Sequence, residues 1–200
     1  PLVLADSSII IAGEHNSAHF TNTGDTLWQN SIGTWTLGLN IDLAGNLYFI
    51  DKEKNLTSIS QDGSINWQLK DERFLGFPPV LSFSPDGETI YVPGISVSVL
   101  SVDIASRTID WVFGDKMLSS VPIVDNAGNL YFAPGLPYPA GDTLVPYRKL
   151  YSLNPSGDVN WEFQFYANII EYNTAATIDY NGNIYFASDT LYALSNTGQL

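Results

Sequence analysis

Short apolar segments alternate along the chain with turns that are rich in Gly, Asp and Asn. One stretch shows the pattern clearly, and its segments are Leu39–Ile41, Leu47–Ile50, Asn55–Ile59 and Ile65–Leu69. β-Branched and aromatic residues favour extended backbone, and no segment has the period of an amphipathic helix. The pattern therefore predicts an antiparallel meander of four strands, which we label A to D.

A tryptophan closes strand D of this meander and recurs along the chain, as Trp28, Trp67, Trp111 and Trp161. Successive tryptophans are 39, 44 and 50 residues apart. Repeats of this length with four strands each are typical of the blades of a β-propeller. We therefore predict an all-β chain, a single β-propeller array over residues 1–200 with four complete four-stranded blades and a fifth blade that lacks its outer strand. The predicted blades are approximately residues 1–31, 36–70, 77–114, 120–163 and 174–200.

Two turns recur in most repeats. The A–B turn has the form Asp-x-x-Gly-Asn and begins at Asp42, Asp125 and Asp179, whereas the C–D turn carries Gly24, Gly63, Gly157 or Gly198. Asp hydrogen-bonds within its own turn and Gly adopts a positive φ, so both patterns predict tight turns rather than ligand sites. Arg107 stands at the glycine position of the third repeat, and we expect that turn to differ in type.

The array begins at strand A and brings no spare outer strand for its last blade. Three arrangements remain open: a piece of a longer propeller, which we favour, a five-bladed ring with a three-stranded last blade, or pairing with a second copy. An open end would expose an apolar blade face and a strand edge, and both features promote self-association.

Composition narrows the classes of function. The net charge is −13 with only 8 Lys and Arg residues, which disfavours binding to nucleic acid or to an anionic membrane surface. The chain contains no cysteine, so disulfides, thiolate nucleophiles and cysteine-based metal sites are excluded. No apolar run is long enough to span a bilayer.

The residues that carry catalytic or metal chemistry are sparse. His15 and His19 have no third ligand nearby, and each Asp-x-x-Gly-Asn turn has too few carboxylates for calcium. The pattern shows no nucleophile with a base, so we predict no catalytic residue, no metal and no cofactor, and the chain is more readily explained as a binding protein than as an enzyme. A carboxylate pair for glycoside cleavage stays open. Asn55-Leu56-Thr57 matches a glycosylation sequon, which the abundance of Asn explains as chance.

Loop variation indicates where a ligand would bind. In a meander of this kind, the B–C loops and the D–A links lie on one side of each blade and the tight turns on the other. The side with the B–C loops varies, and residues 134–149 form a Pro-rich insertion there. We predict ligand contacts from aromatic and basic residues of these loops and links, namely Trp35, Phe74, Phe77, Tyr138, Tyr147, Arg148, Tyr166 and Tyr172. The four blade tryptophans are predicted to be structural, wedged between neighbouring blades.

The segment Leu191–Gln199 resembles the PQQ-like repeat of quinoprotein-type β-propellers, with its Ala193-Leu194 pair and its Thr197-Gly198 turn. Leu150–Trp161 and Leu56–Trp67 match more loosely. The resemblance implies the propeller fold over nearly the whole chain. The family includes dehydrogenases that use a calcium-bound quinone, an Asp base and often a disulfide of adjacent cysteines. It also includes non-enzymatic scaffolds such as the lipoprotein of the outer-membrane barrel-assembly machinery.

This chain lacks cysteine and shows no calcium-ligand set on matching positions, so the resemblance favours the non-enzymatic branch. It implies a binding or scaffold module for a protein or a glycan that works in an extracellular, periplasmic or cell-surface location. The alternative is a fragment of a propeller enzyme, either a quinone-dependent dehydrogenase or a glycan-cleaving enzyme, with its catalytic parts outside this chain.

Overall fold

The structure is a computed structural model that describes residues 1–32, 38–74, 80–115, 121–134, 147–166 and 176–200, with Tyr147 described by its backbone alone. Its regular secondary structure in these ranges consists of β-strands. The chain divides into two compact units, residues 1–81 and residues 82–200, which are described separately below.

The first unit contains two four-stranded antiparallel sheets, or blades, with strand orders β1-β2-β3-β4 and β5-β6-β7-β8. Blade 1 comprises β1 (Leu2–Val3), β2 (Ile9–Ala12), β3 (Ser17–Phe20) and β4 (Thr26–Asn30). Blade 2 comprises β5 (Asn40–Ile41), β6 (Leu47–Ile50), β7 (Asn55–Ile59) and β8 (Ile65–Lys70). Each sheet therefore runs from strand A to strand D in chain order, as the meander predicts.

The second unit contains two further four-stranded sheets and one of three strands. Blade 3 comprises β9 (Ser82–Phe83), β10 (Thr89–Pro93), β11 (Val99–Asp103) and β12 (Thr108–Phe113). Blade 4 comprises β13 (Ile123–Val124), β14 (Leu130–Phe132), β15 (Tyr147–Leu153) and β16 (Val159–Tyr166). Blade 5 comprises β17 (Thr177–Ile178), β18 (Ile184–Ala187) and β19 (Leu191–Leu194). The predicted pattern of four complete blades and a three-stranded fifth is confirmed.

Blades are joined by apolar residues that alternate along the inner strands. In the first unit Ile10 of blade 1 packs with Leu47, Phe49 and Ile59 of blade 2, and all four are buried. In the second unit Phe132 and Leu153 of blade 4 pack against blade 3 in the same way. Successive side chains of a strand point to opposite faces of the sheet. Each blade therefore carries a row of apolar side chains on each of its two faces.

Within each unit, a tryptophan of strand D also connects each blade to the blade that follows it. The Trp28 indole donates to the carbonyl of Gln61 at 2.6 Å, the Trp111 indole to Pro155 at 3.0 Å, and the Trp161 indole to Asn196 at 2.9 Å. These carbonyls belong to the C–D turn of the following blade. The indole ring thus packs over the C–D turn of the next blade, and its N–H donates to a carbonyl of that turn. These two contacts account for a tryptophan at this position.

The A–B turns are held by one carboxylate with several donors. Asp125 Oδ1 accepts from the backbone N–H of Asn129 at 2.8 Å, and its Oδ2 accepts from the Asn129 amide and from the Tyr131 hydroxyl, each at 2.9 Å. The same arrangement occurs at Asp42 and at Asp179. These carboxylates are engaged in their own turns, so the motif builds the fold.

The C–D turn of blade 3 differs from the others, as expected from Arg107. The Arg107 N–H donates to the carbonyl of Asp103, four residues back, whereas the N–H of Gly157 reaches only three residues back, to Asn154. Arg107 nevertheless adopts a φ of +61°, in the left-handed region that favours glycine. A longer turn therefore accommodates a residue with a side chain.

Blade 1 departs from the repeat on its second and third strands. Ile10 stands where blades 2 to 5 have tyrosine, and His19 stands opposite it on β3, where the other blades have a small residue. His19 still makes an edge contact with Trp28, with ring centroids 5.8 Å apart. The opposite face of blade 1 leaves Val3, Ile9 and Ile11 exposed, although their counterparts in blade 2 are packed in the core.

Candidate binding surface on the fourth blade

Strands C and D of blade 4 extend beyond the rest of their sheet. β14 ends at Phe132, which pairs with Tyr151, whereas β15 and β16 remain paired as far as Tyr147 and Tyr166. Residues 147–150 and 163–166 therefore form a two-stranded extension, which we call the blade-4 ribbon. Tyr147–Lys149 were predicted to lie in the B–C insertion and Tyr166 in a loop or a link between blades, and both placements were wrong. These segments pair with each other, so each satisfies the backbone groups of the other.

The two faces of the ribbon differ in chemistry. On one face Arg148 lies opposite Phe165, and these side chains are 9% and 2% exposed. The other face presents Lys149 and Gln164 opposite each other, and Tyr166, of which 42% is exposed. The ribbon is thus amphipathic, with its polar and aromatic face in solvent.

A salt bridge runs along the exposed face. Lys149 Nζ lies 2.6 Å from Glu162 Oε1, and this hydrogen bond raises the pKa of the Lys149 ammonium. Both side chains are about half exposed, so the pair contributes little to stability. It places one positive and one negative group beside Gln164, where a bound chain would meet them.

The buried face of the ribbon rests on aromatic rings of blade 5. The Phe165 and Phe186 centroids lie 4.9 Å apart at 65°, and Phe186 stacks on Tyr192 at 4.8 Å and 10°. Phe163 contacts Tyr192 edge-on at 5.8 Å. Aromatic pairs of this geometry stabilise beyond the apolar area that they bury, so the ribbon has a rigid base.

The predicted ligand contacts are only partly brought together. Tyr147, Arg148 and Tyr166 lie on one ribbon, although Arg148 faces the aromatic base rather than solvent. Phe74 lies in the other unit and is completely buried, so its ring offers no surface to a ligand. The remaining predicted contacts, Trp35, Phe77, Tyr138 and Tyr172, lie outside the described residues. Gln164 was not predicted to lie on this surface. Its alternation with the apolar Phe163 and Phe165 was the signal that places it on the opposite, exposed face of the strand.

The two histidines do not converge on a metal or a nucleophile. His15 is exposed and His19 is buried, and among the described residues no group of three His, Asp or Glu side chains is arranged to hold a metal ion. The Ser8 hydroxyl lies 2.6 Å from Asp6 Oδ1 and 2.7 Å from His19 Nε2. Here the serine stands between carboxylate and imidazole, whereas a catalytic triad needs the imidazole in the middle. Ser8 is also 3% exposed, so this chain of hydrogen bonds ties β3 to the A–B turn.

The Asn and Thr side chains of the blade 2 sequon form hydrogen bonds within their own turn. The Asn55 amide donates to both oxygens of Asp51, at 3.1 and 2.8 Å, and Thr57 is buried with its hydroxyl 3.2 Å from Asp51 Oδ2. A glycosyltransferase needs both groups accessible. In the folded chain the Thr57 hydroxyl is buried and the Asn55 amide is hydrogen-bonded to Asp51, which agrees with the interpretation of this sequon as a chance match.

Comparison with known proteins supports the fold. No family model and no curated protein matches the chain. Among solved structures it is similar to BamB from Moraxella catarrhalis, with a TM-score of 0.54 and 15% identity, covering 96% of this chain and 69% of that one. It is also similar to a europium-containing methanol dehydrogenase, with a TM-score of 0.72 and 12% identity, covering 96% and 48%.

A further similar structure is Sqt1 from Saccharomyces cerevisiae, with a TM-score of 0.67 and 13% identity, covering 92% of this chain and 54% of that one. The chain thus spans from about half to about two thirds of the length of these structures. At such low identity the likeness shows the fold alone, which is a β-propeller. Within the described residues no helix is long and apolar enough to cross a membrane.

Proposed function

We propose that this chain is a non-catalytic protein-binding module that recognises its partner on the B–C/D–A side of blade 4. The observation that carries the proposal is the blade-4 ribbon, which projects past strand B of its own blade and presents Gln164 and Tyr166 to solvent.

Several properties of the ribbon suit protein recognition. Binding residues work best when a rigid element holds them, and the aromatic base under Phe165 provides one. Tyrosine is enriched at interface hot spots because it buries a large area and keeps a polar tip. The exposed face also combines an amide with a charge pair, which matches the polar surroundings of such a hot spot.

The similar structures support the fold alone. They include both BamB and a europium-containing methanol dehydrogenase, so the fold by itself assigns no activity. The enzyme alternative predicts that quinone and calcium together change the absorption spectrum of the purified chain. Our proposal predicts an unchanged spectrum. The glycan alternative predicts that sugars shift the tryptophan fluorescence, which a protein-binding module does not require.

We also propose that the chain works in an extracellular, periplasmic or cell-surface location. The repeat resembles proteins of that environment, and the absence of cysteine is compatible with it. An amine-reactive label that passes outer-membrane pores but cannot cross the plasma membrane, applied to intact cells, would modify exposed lysines such as Lys52 and Lys149. Labelling only after lysis would contradict this location and would leave the binding proposal intact.

Site-specific photocrosslinking tests the binding proposal. A photoreactive amino acid replaces Tyr166 on the ribbon or, as a control, Tyr180 at an A–B turn tip, where the side chain is fully exposed. The expected result in cells that naturally make the chain is a discrete protein adduct from position 166 and none from position 180. No adduct from position 166, or the same adducts from both positions, would overturn the proposal.

A further inference from the structure

The outer edge of β16 is the longest strand edge that blades 1 to 4 present. β16 has eight residues, against five in β4 and six in β8 and in β12. It is the last strand of its sheet, and β15 is its only neighbour among the described strands. Every second residue of an edge strand turns its N–H and C=O outward, so these groups of β16 are not engaged by β15.

The edge is also regular over most of its length. Each outer strand has one register shift near its start, and in blade 4 the shift lies between Ser152 and Leu153, opposite the start of β16. From Trp161 to Tyr166 the strand keeps a continuous register with β15. Bulges commonly protect edges from pairing, and this one leaves the C-terminal part of the strand unprotected.

Other outer strands end in features that protect an edge. β8 ends at Lys70, and the charged residues Asp71 and Glu72 follow it. β12 ends before Gly114 and Asp115. In β16, by contrast, residues 163–166 contain no charge, no proline and no glycine. The final carbonyl, of Tyr166, accepts a hydrogen bond from the Ser188 hydroxyl at 3.1 Å.

We propose that the outer edge of β16 binds an extended, basic segment of the partner protein by antiparallel strand addition. This inference rests on the proposed binding function and specifies how the partner is held. In such complexes main-chain hydrogen bonds provide affinity and alternate side chains provide specificity. The added strand would lie beside Gln164 and Tyr166 on one face and beside Phe163 and Phe165 on the other.

The chemistry of the segment follows from what β16 already pairs with. β15 matches β16 in antiparallel register from Tyr147 to Leu153, with the basic residues Arg148 and Lys149 and no acidic one. Its Lys149 meets Glu162 and Gln164 of β16. A strand of this composition on the outer edge would meet the same rows of side chains. The net charge of −13 attracts a basic segment and opposes a second copy of the chain.

The test uses a synthetic peptide with the sequence of β15, Tyr147–Leu153, capped at both ends and labelled for fluorescence anisotropy. Two further peptides carry N-methyl groups on alternate residues, one set on the odd and the other on the even positions. N-methylation removes backbone donors but preserves charge, so it separates strand pairing from general attraction. Hydrogen exchange on the intact chain then locates the bound peptide.

Variants of the chain supply the matched controls. Gln164→Lys places a positive charge on the exposed edge, and Val112→Lys places the same charge on the outer strand of blade 3. Both positions are exposed, so neither change should disturb folding. Gln164→Lys should weaken peptide binding about fivefold, whereas Val112→Lys should leave it within about twofold.

The expected result is saturable binding that one N-methylated peptide retains and the other loses, with exchange protection confined to residues 159–166. Absence of binding, equal binding of both methylated peptides, or protection elsewhere would overturn the inference. Dimerisation of the chain that Gln164→Lys abolishes would also overturn it, in favour of a second copy as the occupant. In each of these cases an adduct from position 166 would still support the proposed function, so the two failures are distinguishable.

Discussion

Trp161 lies directly against Gly198, the glycine of the C–D turn in the next blade. A Cβ built on Gly198 would stand 2.7 Å from Cδ2 of the Trp161 ring, far closer than carbon atoms approach. Gly157 beneath Trp111 and Gly63 beneath Trp28 show the same 2.7 Å approach. The repeated tryptophan and the repeated glycine of the sequence are therefore the two halves of one contact between blades.

The first prediction concerns these glycines. Gly157→Ala should destabilise the fold by about 2–4 kcal/mol, because the new methyl group adds overpacking against Trp111 to the strain of a φ of +85°. Gly24→Ala is the matched control, since Gly24 has a φ of +90° in the equivalent turn but nothing within 4 Å of its Cβ. It should cost only about 1 kcal/mol. Urea unfolding of the two variants measures the difference, and equal losses would contradict the assigned contact.

The second prediction concerns Arg107 of blade 3, whose backbone lies in the left-handed region. Arg107→Gly should raise the free energy of unfolding by about 1 kcal/mol, because glycine adopts a φ of +61° without strain. Arg107→Ala removes the same side chain but keeps the strain, so it should give no gain. If both variants were stabilised equally, the arginine side chain rather than the backbone would be the cause.

The third prediction concerns alkaline pH. Burial, with Asp42 beside the hydroxyl, raises the pKa of Tyr48 to about 12, and burial likewise raises the pKa of Tyr131. Above about pH 10 the unfolded chain loses these protons and the folded chain keeps them, so stability falls between about pH 10 and pH 12. At lower pH both states are protonated and the contribution is constant.

Tyr48→Phe should make that alkaline loss shallower, because it removes one of the buried hydroxyls. The exposed Tyr180→Phe variant should follow the parent curve. Unfolding midpoints measured in urea from about pH 8 to about pH 11 compare the three chains. A Tyr48→Phe curve that runs parallel to the parent throughout would contradict the role of this hydroxyl.

Much of the fold follows from the sequence because the repeat is regular. The strands of blade 2 were predicted to within about one residue, since alternating apolar residues and Gly turns mark each end. Blade 1 was harder to interpret because Ile10 and His19 exchange the usual places of ring and small residue. The His19 ring still contacts Trp28, and its hydrogen bond to Ser8 still connects strand C to the A–B turn. This exchange is recognised only once β2 and β3 are paired in register.

The site was less predictable for a related reason. The stretch from Tyr147 to Lys149 follows a Pro-rich segment and has the composition of a loop, and Phe165 lies beyond the usual end of strand D. Each becomes a strand because the other is available to pair with it, which is long-range information that a local pattern does not contain. Burial of Arg148 and of Phe74 likewise depends on neighbouring elements that periodicity does not identify.

Hydrogen exchange of the purified chain, with and without the protein captured from position 166, is the sharpest test of the binding role of blade 4. We expect slowed exchange in residues 147–166 of blade 4 and unchanged exchange in the A–B turn at residues 179–183. Protection at that turn, with the ribbon exchanging as freely as before, would contradict it.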